Sequence, residues 1–346
     1  MGRRPAAGAH RPAHRHLVDC PLPRPGDVRA GARPLLHGRG PGELAERLEP
    51  GLPRRPLARH VTAPPAPDSL ALHGWHPPAG GPAPWAVLAL VHGIGSHGGS
   101  FAPLAEALTD EGVIVAAVDL PGHGRSPGRR GDAPSWEALQ DAVDQLLERA
   151  RREAPGLPCF LLGHSLGAAI ALDAAERLSG RLGGVVVSNP ALAVEPTGPL
   201  RLRLLLARLL ARLWPGFTLA TGITLEAAAH DPAVRERIAA DPLRHDRCSA
   251  RLAVAWQRRS RALMADAPRF PLPLLVLQSS ADGVISAAAV QAYVRAVRDG
   301  GVGQGAARSR PDVTLILYHH SLHELLDDRE RDAVTADLLA WLRTHG

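Results

Sequence analysis

The sequence predicts an α/β fold in which a mostly parallel, doubly wound sheet carries a helical insertion. Three observations predict it. From Thr62 onward, short apolar segments alternate with helical patterns. One apolar segment, 158–162, runs into Gly163-His164-Ser165-Leu166-Gly167 and then into a row of helix formers. The alternation lapses once, over 195–268, where helical patterns follow one another without a convincing strand.

The elements follow in order. Residues 1–60 are rich in Arg, Pro and Gly and poor in large apolar side chains, so they cannot bury enough surface to offset chain entropy; a disordered tail is expected. Residues 69–76 alternate as a half-buried antiparallel edge strand does. Segments 85–91 and 113–118 are continuous apolar runs, the pattern of strands covered on both faces, and a helical pattern at 101–111 joins them. A helix at 135–153 leads to the strand at 158–162, which is bounded by Pro158. A helix over 168–178 is closed by Ser179-Gly180. A strand ending at Val187 precedes the insertion, expected as a helical cap at about 195–268. Strand 272–278, helix 286–298, strand 313–318 and a final helix complete a domain over 61–346.

Charge belongs mostly to the tail. The chain has 346 residues and no Lys, and its formal net charge is +6. Residues 1–60 hold 12 Arg against 5 acidic residues, while 61–346 hold 28 against 29. The folded part is therefore near neutral, and the tail has no aromatic interleaving, so no nucleic-acid partner is expected. Three widely spaced cysteines (Cys20, Cys159, Cys248) form neither a metal motif nor a disulfide framework, which fits a reducing compartment. The Arg-rich start is not followed by an apolar stretch, so no secretory signal is expected and the location read is cytoplasmic.

Function is carried by strand ends. In a strand–turn–helix setting, Gly-x-Ser-x-Gly lifts the Ser165 hydroxyl off the sheet and leaves the Leu166 N–H free to face an oxyanion. After the strand at 85–91, His92-Gly93-Ile94-Gly95 can turn the Ile94 N–H toward the same point. Asp282 follows the strand at 272–278; His319, His320 and His323 follow the strand at 313–318. The order serine, acid, histidine is that of a nucleophile, an orienting carboxylate and a base on a doubly wound sheet. A rival pattern exists. Gly93-Ile94-Gly95-Ser96-His97-Gly98 follows a strand, and Asp119 ends the next one, as in a dinucleotide-binding unit. Against it, the helix begins near Phe101 or Ala102, beyond the third glycine, and the serine motif would go unused.

The motifs His92-Gly93-Ile94-Gly95-Ser96-His97, Asp119-Leu120-Pro121-Gly122-His123-Gly124-Arg125-Ser126 and Gly163-His164-Ser165-Leu166-Gly167 together resemble the monoacylglycerol lipase/lysophospholipase branch of the α/β-hydrolases, which carry a serine aminopeptidase S33-type domain. The similarity continues in Ser188-Asn189-Pro190-Ala191-Leu192 and Ala240-Asp241-Pro242-Leu243, and covers about residues 61–346. The resemblance implies Ser165 as nucleophile, Asp282 and His323 as its partners, and Ile94 and Leu166 as backbone oxyanion donors. Ser321-Leu322-His323-Glu324 favours His323 over His319 and His320. Departures at Ser96, Leu166 and Ser279-Ser280, and an added stretch at 299–308, remove no such group.

The expected function is hydrolysis of a lipid-like, single-chain carboxylic ester through an acyl-enzyme, with no cofactor and no metal. Open alternatives are a peptidase or acyltransferase of the same fold, a non-catalytic binding protein, and the dinucleotide-binding oxidoreductase. Within the cap, Leu and Arg alternate over 200–214 and end in Trp214, too short to span a bilayer. Three readings suit it: a helix lying on a membrane surface, one lining an acyl-chain pocket, and a buried lid helix.

Overall fold

The computed structural model describes residues 59–62, 69–192, 199–300 and 311–346. The expected tail up to residue 58 and most of the added stretch at 299–308 lie outside the described residues. Ten strands and nine helices are described. They are β1 (Arg59–Thr62), β2 (Leu72–His76), β3 (Ala86–Val91), α1 (Ala102–Asp110), β4 (Val113–Val118), α2 (Trp136–Glu153), β5 (Cys159–His164), α3 (Leu166–Ala174) and β6 (Gly184–Ser188). The insertion holds α4 (Pro199–Leu213), β7 (Thr218–Ala220), α5 (Leu225–Ala228), α6 (Pro232–Ala240), β8 (Arg247–Ser249) and α7 (Ala250–Asp266). Then come β9 (Leu274–Ser279), α8 (Ala287–Asp299), β10 (Val313–Tyr318) and α9 (Arg331–His345).

Eight strands form one sheet in the order β1-β2-β4-β3-β5-β6-β9-β10. Only the β1–β2 and β2–β4 pairings in it are antiparallel, so the expected mostly parallel sheet forms, but β2, expected at its edge, lies one strand in, with β1 outside it. Strands β3, β4 and β5 are buried at every position, as their unbroken apolar runs require. Alternate residues feed opposite layers. Val87, Ala89 and Val91 face the core that holds α2, α3 and α8, while Ala86, Leu88 and Leu90 face the one that holds α1 and α9. Serine caps set several helix starts: the hydroxyls of Ser135, Ser249 and Ser286 accept from Ala138, Leu252 and Ala289 N–H.

Three expectations are corrected. Residues Arg59 and His60, assigned to the tail, lie in β1 and pair with β2. Helix α3 stops at Ala174 rather than near residue 178, because the chain tightens into turns beyond it, with Ala175 N–H donating to Leu172 O at 3.3 Å. The insertion is not free of strands: β7 and β8 pair antiparallel, Leu219 opposite Cys248. Three residues are too few for an alternating pattern to register in sequence.

Order in the sheet locates the site. Connections leave β3 for β4 on one side, and the chain returns past β3 to β5 on the other. The loops after β3 and β5 therefore diverge and leave a crevice at the carboxyl ends of the strands. Among the described residues no helix is long and apolar enough to cross a membrane.

Candidate active site

Ser165 sits at the turn between β5 and α3 with φ 54° and ψ −118°, a strained conformation for a residue with a side chain. Its neighbours make the turn possible. A Cβ at Gly163 would strike the carbonyl of Gly167, and one at Gly167 would strike those of Val91 and His92. The backbone of Ser165 is pinned on both sides: its N–H donates to Ser188 O at 3.0 Å, and its carbonyl accepts from Ala191 N–H at 3.0 Å. Strain is thus held by the end of β6 and the loop that follows it.

Asp282 and His323 meet at this serine. The Oδ1 atom of Asp282 accepts from the N–H groups of Val284 (2.7 Å) and Ile285 (2.9 Å), which fixes the carboxylate. Its Oδ2 accepts from His323 Nδ1–H at 2.9 Å. That bond leaves Nε2 of His323 as an acceptor, and Ser165 Oγ–H lies 3.0 Å from it. Ser165 and His323 are buried, and the Asp282 side chain is fully covered. His319 and His320 are exposed on the far side of the loop, where their N–H groups bond to Glu330 and the His319 ring meets Ser280 Oγ at 2.7 Å. Ile94 lines the same cleft as Ser165. Leu166 is the first residue of α3, so its N–H has no partner one turn earlier within the helix. The arrangement can take a proton from a serine hydroxyl and return it.

The cleft has a volume of about 230 Å³. Its floor is Ser165, His323 and the Gly93–Ser96 loop; the insertion supplies its walls, with Ile223, Leu225 and Ile238 on the apolar side and Arg244 on the polar side. None of the described side chains of the Leu-rich helix α4 lies in that wall. Leu205, Leu206, Leu209 and Leu213 are exposed, Leu213 by 74% and Trp214 by 65%. The acyl-pocket and buried-lid readings of this segment are thereby corrected for its described side chains.

Cap and core are tied beside the serine. His97 Nε2–H donates to Asp241 Oδ2 at 2.7 Å, His245 N–H donates to Gly95 O at 2.9 Å, and Arg244 pairs with Glu324. Burial works to raise the Glu324 carboxyl, but Arg244 and His164 more than offset it and hold it at about 2. His92 is a structural imidazole. Its Nδ1–H donates to Gly93 O at 2.8 Å and its Nε2 accepts Leu120 N–H at 2.9 Å, so it is neutral and fixes the loop that carries Ile94. Burial pushes both free thiols among the described residues, Cys159 and Cys248, up to about 11, which leaves neither poised as a nucleophile.

Burial also holds His123 and His164 down, each to about 4. In an unfolded chain histidine titrates near 6.5, so the unfolded state binds more protons between those values. Stability is then complete above about pH 6.5 and is lost as pH falls toward 4. The melting temperature is expected to decline across that window; a flat profile from pH 7 to 4.5 would contradict it.

Two other clusters are accounted for. Asp119, the acid of the dinucleotide pattern, is fully buried and accepts from Gly98 N–H (2.6 Å), Arg125 N–H (2.8 Å) and His73 Nε2–H (2.9 Å). It has no free oxygen to offer a ribose, and a Cβ at Gly95 would strike the His245 carbonyl of the cap. His73, His97 and Asp119 also bring three ligand-type atoms within 4.8 Å of one another. The near oxygen of Asp119 accepts from His73 Nε2–H and Gly98 N–H, so the set forms a hydrogen-bonded clamp at the end of β4.

Residues 82–330 match the family model of serine aminopeptidase, S33. The chain belongs to that family. Among its relatives, this S33 hydrolase is 28% identical over 264 residues to the monoacylglycerol lipase of Mycolicibacterium smegmatis, which covers 76% of this chain and 89% of the relative. It is 27% identical over 279 residues to an abhydrolase domain-containing protein of Dictyostelium discoideum, of whose length it spans 28%. The crystal structure of Paleococcus ferrophilus monoacylglycerol lipase aligns with 30% identity and a TM-score of 0.68, over 80% of this chain and all of that one. The S33 hydrolase thus has the α/β-hydrolase fold that its motifs imply.

Missing from the sequence reading are Asn189, Arg244 and Glu324 as side chains of the site. Asn189 carried two signals, an Asn directly before Pro at the end of a strand and its place in the family-like Ser188-Asn189-Pro190-Ala191-Leu192, but neither gave it a role.

Proposed function

We propose that this protein is a serine hydrolase of carboxylic esters, acting on lipid-like single-chain substrates of the monoacylglycerol or lysophospholipid class. One observation carries the reading: Ser165 Oγ, His323 and Asp282 form an unbroken hydrogen-bonded series, 3.0 and 2.9 Å, that opens into a cleft with an apolar wall. Kinship with monoacylglycerol lipases supports the ester and the lipid class. In this mechanism His323 Nε2 takes the Ser165 proton as Oγ attacks the acyl carbonyl. The Ile94 and Leu166 N–H groups face the oxygen that becomes charged, a contribution of roughly 3 kcal/mol per donor in comparable sites. The tetrahedral carbon collapses, His323 protonates the departing alcohol, and water activated by the same nitrogen releases the fatty acid. Each buried CH₂ of an acyl chain gains about 0.8 kcal/mol, which Ile223, Leu225 and Ile238 are placed to supply.

The exposed face of α4 extends this reading to the substrate's source. Leucines at 205, 209 and 213 form an apolar ridge, with Arg208 and Arg212 exposed beside it, the pattern of a helix that rests on anionic lipid. This face supports peripheral membrane contact for the enzyme. The purified chain is expected to hydrolyse a long-chain monoacylglycerol presented in anionic vesicles and, at lower kcat/KM, a soluble acetate ester. Replacing Leu205, Leu209 and Leu213 by Ser should reduce vesicle binding and turnover of the vesicle substrate by at least about tenfold, since each buried Leu contributes roughly 1.5–3 kcal/mol. Acetate turnover should stay within about twofold. Equal losses on both substrates would mean that the ridge serves folding, and the membrane reading would fail.

A further inference from the structure

The Asn189 side chain joins the segments that carry Asp282 and His323, and its chain neighbours hold the backbone of Ser165. Asn189, the residue after β6, is fully buried and has a φ of 42°; besides Ser165 it is the one non-glycine residue with positive φ among those described. Its Nδ2 donates to the carbonyls of His323 (2.7 Å) and Leu322 (3.2 Å), and its Oδ1 accepts from Ser279 N–H at 2.8 Å. Its own N–H donates to Leu277 O at 3.0 Å. On either side of it, Ser188 O and Ala191 N–H hold the backbone of Ser165. The partners lie 90 and 134 residues away in the chain, so these bonds are tertiary and join separate segments.

We infer that Asn189 is a positioning residue that sets where His323 stands relative to Asp282 and Ser165. The inference rests on the proposed ester hydrolysis for its kinetic consequence. Its physical basis is independent of it. The His323 loop runs from Tyr318 to the start of α9, and the Asp282 loop leaves β9 at Ser279; the carboxamide ties them together beside a second bond, from Ser279 Oγ–H to Ser321 O. The carboxamide offers donors to one loop and an acceptor to the other, and no other neutral side chain of that length does both. Aspartate at this place would set a carboxylate against two carbonyl oxygens. The positive φ directs the chain away from β6 into the Pro190 turn while the amide stays in the core, a conformation that Asn tolerates better than other residues with a side chain. Residues that hold reacting groups act through geometry, and a displacement of about 1 Å at a reacting centre costs on the order of 100-fold in rate.

The backbone strain and the amide contacts can be tested apart. Asn189→Gly keeps the positive φ available and removes the carboxamide, Asn189→Ala removes the carboxamide and keeps the strain, and Asn189→Asp keeps the acceptor alone. Two readouts are used on the full chain: kcat and KM on a soluble ester, and the hydrogen-bonded Nδ1 proton of His323 in a 15N-histidine NMR spectrum, assigned with the His323→Gln variant. Both the Gly and Asp variants are expected to lower kcat by about 10- to 100-fold, with KM changed less than about threefold. The His323 Nδ1 proton signal should be lost or broadened in protein that remains folded by its melting curve. An unchanged His323 signal overturns the inference, whether turnover falls or not, because the fall would then reflect lost folded protein or another site. Unchanged kcat in Asn189→Gly overturns it equally. Should the wild type hydrolyse no ester, the functional reading fails, while the NMR signal still reports whether Asn189 positions His323.

Discussion

Replacing Ser165 by alanine is expected to abolish labelling by a fluorophosphonate probe and to lower kcat by about 10⁶-fold, the size of loss seen when the serine of a comparable triad is removed. The reason is in the site. Ser165 Oγ is the atom that His323 Nε2 faces at 3.0 Å, and the strained φ of 54° serves to hold that oxygen clear of the sheet. Without it, no acyl-enzyme forms. Some acceleration over water should survive, because the Ile94 and Leu166 N–H groups and the cleft remain. Alanine retains the positive-φ strain and removes only a hydroxyl, so the melting temperature should stay within a few degrees. Labelling of the variant at wild-type rate would place the nucleophile elsewhere and undo the functional reading. Loss of labelling together with unchanged ester turnover would mean that hydrolysis proceeds without a serine intermediate.

Parts of this site were legible in the sequence because their physical requirements are local. The turn around Ser165 needs two small residues at fixed offsets between a strand and a helix, and Gly163 and Gly167 supply them. Asp282 is legible as the acid that follows a strand. His323 is different. Three histidines share its loop, and only the match of Ser321-Leu322-His323-Glu324 to a family pattern separated it from His319 and His320. Asn189 was illegible as a hub, since its partners lie 90 and 134 residues distant and no local pattern encodes them. The ion pair of Arg244 with Glu324 was hidden for the same reason, at a separation of 80 residues.

The cap shows a second kind of limit. Its leucines were visible, but a wide apolar stripe is equally what a core helix, a pocket wall and a membrane-facing helix need. Only the packing of α4 on α7 decides which face remains exposed. Strands β7 and β8 owe their existence to pairing with each other rather than to propensity, as three-residue strands in a cap must. The central parallel strands of the sheet were legible, because burial on both faces imposes continuous apolar runs that few other structures require; the edge strand β1 carries no such run and was read as tail.

Replacing Asp282 by asparagine is expected to lower kcat by about 10⁴-fold while leaving the fold intact. The side chains are nearly identical in shape, so the argument turns on which atom faces which. The Oδ1 atom of Asp282 accepts from Val284 and Ile285 N–H, and two backbone donors will bind the carbonyl oxygen of an asparagine in preference to its NH₂ group. The NH₂ group is then turned toward His323, in the place of Oδ2. An N–H pointing at Nδ1 forces that nitrogen to accept, and the ring proton moves to Nε2. His323 would present an N–H to Ser165 Oγ where the wild type presents a lone pair 3.0 Å away, and it could no longer take the serine proton. Affinity for substrate should change little, since Asp282 is fully covered and does not line the cleft. The expected pattern is a collapse of kcat at nearly constant KM, with a melting temperature close to wild type. A loss below tenfold in a well-folded variant would mean that His323 keeps its tautomer without the carboxylate, and Asp282 would then be a structural cap on the Val284 turn and no part of the chemistry.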